Sequence, residues 1–390
     1  MTIADTALPP GLAWDAERGR LRVLTPALAD LALRDPHIIT GVDRSSPDMA
    51  KLVPAEDEAP SITGFFELWY TVNDDYQRFN TELRKVFTPR SAASYGGVFA
   101  ELADRYLAAM PAEGDLAKHY LAPYLMNSTF AVVGVPESDW PNMTKVALLI
   151  THLFKQQLLG VTEHGAAERR AFETIMLYLK SLTDRLLEGD GDAPFLTAAR
   201  ELASGKRTTW PIAALIGQLL MAGIEPMIVG SAVAARDIWS DPALLAGLRD
   251  GSVDAGEVAE ELMRRQPPFG YLFRFVSDPC DCFGVPLAPG TLIAIDIAAV
   301  NLAHTPAQSP VRGCPVRPSA VLTFGKGAHY CLGASSARLQ VATGIHALVR
   351  RTPPVHIDPA AVRVDTSNNL KELRAVPYTT RPTTNGAGLP

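Results

Sequence analysis

Phe324-Gly325-Lys326-Gly327-Ala328-His329-Tyr330-Cys331-Leu332-Gly333 is the stretch that decides how this chain folds. It joins a long loop at 303–320, rich in Pro, Ser and Arg, to a helical pattern over 334–351. Two glycines ahead of the cysteine permit backbone conformations closed to other residues. Cys331 then stands just before a helix N-terminus. Unpaired N–H groups and the positive dipole end there favour a thiolate over a thiol. Gly333 removes a side chain where a flat partner can approach, and His329 can point to an anionic group beside the cysteine. From the loop alone two plainer readings stay open. A glycine-rich turn before a helix can cradle phosphate, although the Walker pattern G-x-x-x-x-G-K-S/T is absent. A free cysteine is also commonly a small buried apolar residue.

The surroundings are mostly helical in pattern. Apolar residues recur at helical spacing over 26–33, 75–87, 98–110, 115–133, 141–159 and 166–187. Thr208-Thr209-Trp210-Pro211 is a helix start signal, and the helix from Pro211 extends to Ser240, with a second from Asp241-Pro242 and a third over 255–265. After Pro267-Pro268 the texture turns to β-branched and aromatic residues, predicting short strands at 273–276, 282–285 and 291–297. The loop at 303–320 is long enough to be functional or wrapped around something. Thr379–Pro390 reads as a frayed tail.

Composition bounds the function. The chain has 390 residues, 47% hydrophobic and 20% charged, which is ordinary for a globular protein with a large core. A net charge of −6, with no run of like charges, argues against nucleic acid as a main partner. The N-terminus shows no basic-then-apolar leader, so a cytoplasmic protein is expected. The apolar run 211–235 is interrupted by Gln218, Glu225, Pro226 and several small residues, so a buried helix is expected rather than a membrane span. Four cysteines do not make a disulfide scaffold, and Cys280-Asp281-Cys282 lacks a second pair to complete a zinc site.

The loop resembles the cysteine-ligand motif F-x-x-G-x-x-x-C-x-G of the cytochrome P450 family, with Phe324, Gly327, Cys331 and Gly333 at its fixed positions. Other marks follow in order. Glu261-Leu262-Met263-Arg264 resembles the E-x-x-R pair, and Ala222-Gly223-Ile224-Glu225 resembles the start of A-G-x-D/E-T. Arg274 resembles the arginine that meets a haem propionate. The resemblance covers essentially the whole chain. It implies one mainly helical domain over 1–390 with small β sheets, the haem lying between the long central helix and the cysteine loop.

The resemblance also implies the site. Cys331 would ligate the iron of haem b and donate electron density that favours O–O cleavage. Phe324 would pack beside the sulfur, and Gly325, Gly327, Gly333 and Ala222 would leave room for the macrocycle. His329, Arg274 and Tyr76 would meet the propionates, and the Glu261–Arg264 pair would hold the loop. O2 would be the co-substrate. Electrons would come from NAD(P)H through a reductase and a ferredoxin docking on a basic patch of Arg84, Lys85 and Arg338. A monomer acting on a small molecule is expected. Phe65, Phe66, Trp69, Met221, Phe269 and Leu272 are the candidate substrate contacts, although the aromatic cluster could equally cover the haem edge.

Three positions depart from the family pattern. Pro226 replaces the usual threonine, so protons must come from ordered water, Glu225 or the substrate. It also removes the helical hydrogen bond to residue 222. Some family members with this Glu-Pro pattern act in bacterial secondary metabolism, on aromatic substrates that are coupled or rearranged. Oxidative coupling and substrate-assisted hydroxylation therefore both remain open, with peroxide-driven turnover ranked lower. Tyr76 and Asn80 stand where H-x-x-x-R is common, and Asn301-Leu302-Ala303-His304 stands where N-R-D-P/H is common. Pro226 also leaves open a haem-binding protein without turnover, a carrier or an assembly scaffold.

Overall fold

The computed structural model describes residues 7–40, 61–67, 81–158, 163–204, 209–303 and 321–381. Its axis is α9, Trp210–Ser240, a helix of 31 residues with Pro226 inside it. Twenty of those residues are buried, so the interrupted apolar run seen in the sequence is a core helix. By length and composition it could cross a membrane, but 72% of its most apolar window is buried inside the protein. Around it pack α4 (Gly96–Ala109), α5 (Ala122–Val133), α6 (Trp140–Leu158), α7 (Ala166–Glu188), α8 (Pro194–Ala203), α11 (Ala255–Arg265) and α13 (Ala334–Arg350).

The small sheets sit at the edges. β1 (Leu12–Asp15), β2 (Arg20–Val23), β3 (Ile38–Ile39), β5 (Tyr271–Val276) and β6 (Leu292–Asp296) form one sheet in the order β1-β2-β6-β5-β3. A second, smaller core lies against it. β4 (Glu113–Asp115), β7 (His356–Ile357) and β10 (Pro377–Thr379) form another sheet, while β8 (Arg363–Asp365) pairs with β9 (Glu372–Ala375). The fold is mainly α with small β sheets, as expected.

Several boundaries differ from the sequence reading. The segment at 282–285 is not a strand: Cys280 bridges Leu287 around a tight turn in which Gly284 donates to Asp281 O. Pro89 does not merely stop a helix. It opens α3, Pro89–Ser94, whose Thr88 hydroxyl accepts from Ser91 N–H at 3.1 Å. β6 ends at Asp296, whose carboxylate caps α12 (Ile297–Leu302). Thr379 and Thr380, placed in the expected tail, are ordered parts of the fold: Thr379 pairs with Glu113 and His356, and Thr380 donates to Ala112 O at 2.7 Å. Residues 382–390, the loop at 304–320, Trp69 and Tyr76 lie outside the described residues.

Candidate functional site

The cysteine loop is built by its glycines. Gly325 and Gly327 have φ of +73° and +72°, a region that L side chains rarely adopt. They fold the chain back so that Cys331 N–H donates to Phe324 O at 2.9 Å and Tyr330 N–H to Gly327 O at 3.1 Å. Gly333 caps α13. Cys331 keeps accessible surface, while the protein packed round its sulfur desolvates the thiol. Burial pushes its thiol up, against the pull of Gly333 N–H, Arg338 and Arg84. That corrects one expectation: the helix end alone does not produce a thiolate, because desolvation outweighs it. A coordinated metal cation would reverse the balance.

The loop is fastened from behind. Arg264 donates from Nε and Nη2 to both Glu261 oxygens at 2.7 and 2.8 Å, and from Nη1 to Asn301 O at 2.6 Å. Burial raises the Glu261 carboxyl, but Arg264 and Arg265 more than offset it and hold the group below its usual range. Asn301 is fully buried. Its amide donates to Arg264 O and Thr323 Oγ1 at 3.0 Å, and its Oδ1 accepts from Leu322 N–H at 2.7 Å. Asn301 thereby joins α11 to the residues just before Phe324. Sequence reading noted it only as a departure; the usable signal was an amide side chain inside an apolar segment.

A positive corner lies beside the loop. Arg274 is 8% exposed and makes one recorded hydrogen bond, Nη1 to Phe273 O at 2.7 Å. Burial pushes its guanidinium down to about 10. Burial, then the charges of Arg274 and Arg84, push the His329 imidazole down to about 4. Three basic groups thus converge, and among the described residues no carboxylate pairs with Arg274. A buried cation of this kind is costly without an anion. The corner therefore suits a carboxylated ligand.

A second open face lies on the middle of α9. Leu219, Ala222, Gly223 and Pro226 keep accessible surface, while Met221 and Ile224 are buried. Their spacing of three, four and seven puts them on one face. A Cβ added at Gly223 would meet nothing within 4 Å, and the same holds at Gly327 and Gly333. Helix and loop both present open faces where a flat group would fit. The donors match haem: a thiol for iron, cations for two propionates, and small residues for the ring.

Glu225, next to Pro226, is engaged. Lys155 of α6 donates from Nζ to Glu225 Oε1 at 2.6 Å, in a half-buried pair. Sequence reading missed Lys155, a lone cation ending an apolar helix face. The candidate substrate contacts divide. Phe65 has no accessible surface: its ring meets Phe172 edge-on at 5.6 Å and backs onto Gly217. It is therefore packed in the core rather than on an open surface. Met221 is only 5% exposed. Phe269 and Leu272 are half-buried, with Phe269 bridged to Leu370. Leu272 and Arg274 project from one face of β5, and Tyr271 and Phe273 from the other. Phe66 belongs to α2, Ile62–Glu67.

Two cations of the expected basic patch are ion-paired within the fold. Lys85 pairs with Glu82 at 2.7 Å and Arg338 with Glu260, while Arg84 donates to Tyr330 O at 3.4 Å. Cys280 and Cys282 form no metal cluster among the described residues.

No family model matches the chain. A biotin biosynthesis cytochrome P450 of Bacillus subtilis is 24% identical over 310 residues, covering 78% of each chain. Cytochrome P450-SOY of Streptomyces griseus is 28% identical over 367 residues, 89% of this chain and 84% of that one. Among solved structures, ligand-free CYP164A2 of Mycobacterium smegmatis superposes with a TM-score of 0.74 at 25% identity, covering 95% of this chain and 93% of that one.

Proposed function

We propose that this chain, which belongs to the bacterial cytochrome P450 family and is a haem-thiolate monooxygenase, oxidises a small aromatic or natural-product substrate by hydroxylation or oxidative coupling. The family implies haem, O2 and electrons from a redox partner. For this chain we assign haem b, a ferredoxin and reductase drawing on NAD(P)H, a cytoplasmic monomer, and one catalytic domain over 1–390. The observation that carries the reading is the loop of Cys331, shaped by two left-handed glycines and leaving the cysteine accessible. When bound, haem with a thiolate ligand supplies reductive O2 activation.

The chain's own residues do the rest. Arg274 and His329 bind and orient the carboxylate edge of the ring. Phe324 and the α11–Asn301 fastening keep water from the sulfur and hold it in register. Ala222 and Gly223 give close approach over the ring. Pro226 offers neither hydroxyl nor N–H, so the nearest ionisable oxygens are those of Glu225. Lys155 holds Oε1, which leaves Oε2 to take a proton from water and pass it on. Phe269 and Leu272 flank the substrate.

A purified ferredoxin and reductase test the reading. Candidate aromatic substrates should accelerate NADPH consumption, with product formed in proportion. Haem binding with no substrate-dependent consumption across such a panel would favour a carrier without turnover.

A further inference from the structure

Arg338 is unlike an ordinary surface cation. It rises from α13 behind the cysteine loop and is held on three sides. Its Nε and Nη2 donate to the two Glu260 oxygens, the second at 3.0 Å. Its Nη1 donates to Tyr330 Oη at 3.3 Å. Its Cζ lies 4.2 Å from the centroid of the Phe324 ring. Phe324 in turn accepts the Cys331 N–H. Contacts therefore run in series from Cys331 to Phe324, Arg338 and Glu260. A bidentate carboxylate and a stacked ring fix a guanidinium far better than a single exposed contact. Burial disfavours its charge, but the bond to Glu260 outweighs burial and keeps it protonated.

We propose that Arg338, locked by Glu260, is a positioning residue that sets the electron-donating strength of Cys331, and with it the reduction potential of the centre. This rests on the haem-thiolate reading above. The step concerned is one electron passing from the redox partner to ferric iron to give ferrous iron, with no bond made or broken. That electron makes the centre more negative, so a fixed cation behind Phe324 favours the reduced form. The Glu260 carboxylate opposes it. Arg338 and Glu260 are 30% and 35% exposed, so solvent screens part of the field and the shift stays modest. A cation serving only to dock an acidic protein would need a mobile, unpaired head. Arg338 has neither property.

The test compares holoenzyme of the wild type, Arg338→Gln, Arg338→Lys and Glu260→Gln. Each is titrated anaerobically against small-molecule mediators, so that protein docking plays no part. Arg338→Gln should shift the reduced-to-oxidised ratio at fixed potential about tenfold toward oxidised, which is 59 mV for one electron. Glu260→Gln should shift it toward reduced, and Arg338→Lys should fall between wild type and Arg338→Gln. If Arg338→Gln cannot be purified with haem, the sign of the Glu260→Gln shift decides. Coincident potentials, with only the KM for the redox protein raised, would overturn the proposal in favour of docking. Failure of the wild type to give a thiolate spectrum would instead remove the reading beneath it.

Discussion

The two walls of the proposed haem site are built on different principles. The cysteine side is over-determined. Glu261, Arg264, Asn301, Thr323 and the glycine turns fix Cys331 through a closed set of hydrogen bonds. The α9 side is a smooth helical face of small residues with one ion pair, Lys155–Glu225, reaching across from another helix. One wall holds a ligand atom in a single place, while the other leaves space and one movable charge. The chemistry common to a family can reside in the first wall and the choice of reaction in the second.

The difference can be broken deliberately. Arg264→Ala should have the largest effect, because it leaves Glu261 with Arg265 alone and frees the Asn301 carbonyl. Removing one partner of a buried pair costs about 3–5 kcal/mol. The urea midpoint and haem content should fall together. The same pair predicts acid lability. Glu261 titrates lower in the fold than in the unfolded chain. Its stabilisation is therefore complete above the unfolded value near 4.3 and fades as pH falls through the folded one.

Arg274→Leu should split two readouts. The haem-free protein gains stability, since a buried charge is removed, whereas haem is lost faster to a competing apo-globin. Slower haem loss would contradict a propionate contact at Arg274. On the other wall, Gly223→Ala meets open space on a helix. It should raise stability by about 1 kcal/mol while weakening the binding of bulky azole ligands. A stability loss would mean that the face is packed. Lys155→Gln should cost the least, about 1 kcal/mol or below, because the pair is only half-buried. Its effect should appear in the coupling of NADPH consumption to product, through the freed Glu225. Unchanged coupling at every pH would disconnect the pair from proton supply.

The sequence exposed the first wall better than the second. A ligand loop needs special φ angles and a fixed cysteine, and both are written in local residues such as Gly327 and Cys331. The E-x-x-R pair is likewise local, at one helical turn. Asn301 and Lys155 act across 37 and 70 residues of chain, and no local pattern reports such contacts. Phe65 was ambiguous for a related reason. An aromatic residue near a pocket and one plugging a core look alike until Gly217 and Phe172 are seen beside it. The turn at 280–287 carried β-branched and aromatic residues but folds too tightly to pair as a strand. Desolvation of Cys331 was also invisible, since burial depends on the whole fold and not on the helix end that follows it.

The central claim is that Cys331 is the ligand of a haem iron, and the reduced, carbon monoxide-bound spectrum tests it most directly. The wild type should give a strongly red-shifted Soret band. Cys331→Ala, checked for folding by circular dichroism, should lose it. A chain that binds no haem, or a Cys331→Ala protein that keeps the red-shifted band, would contradict the account.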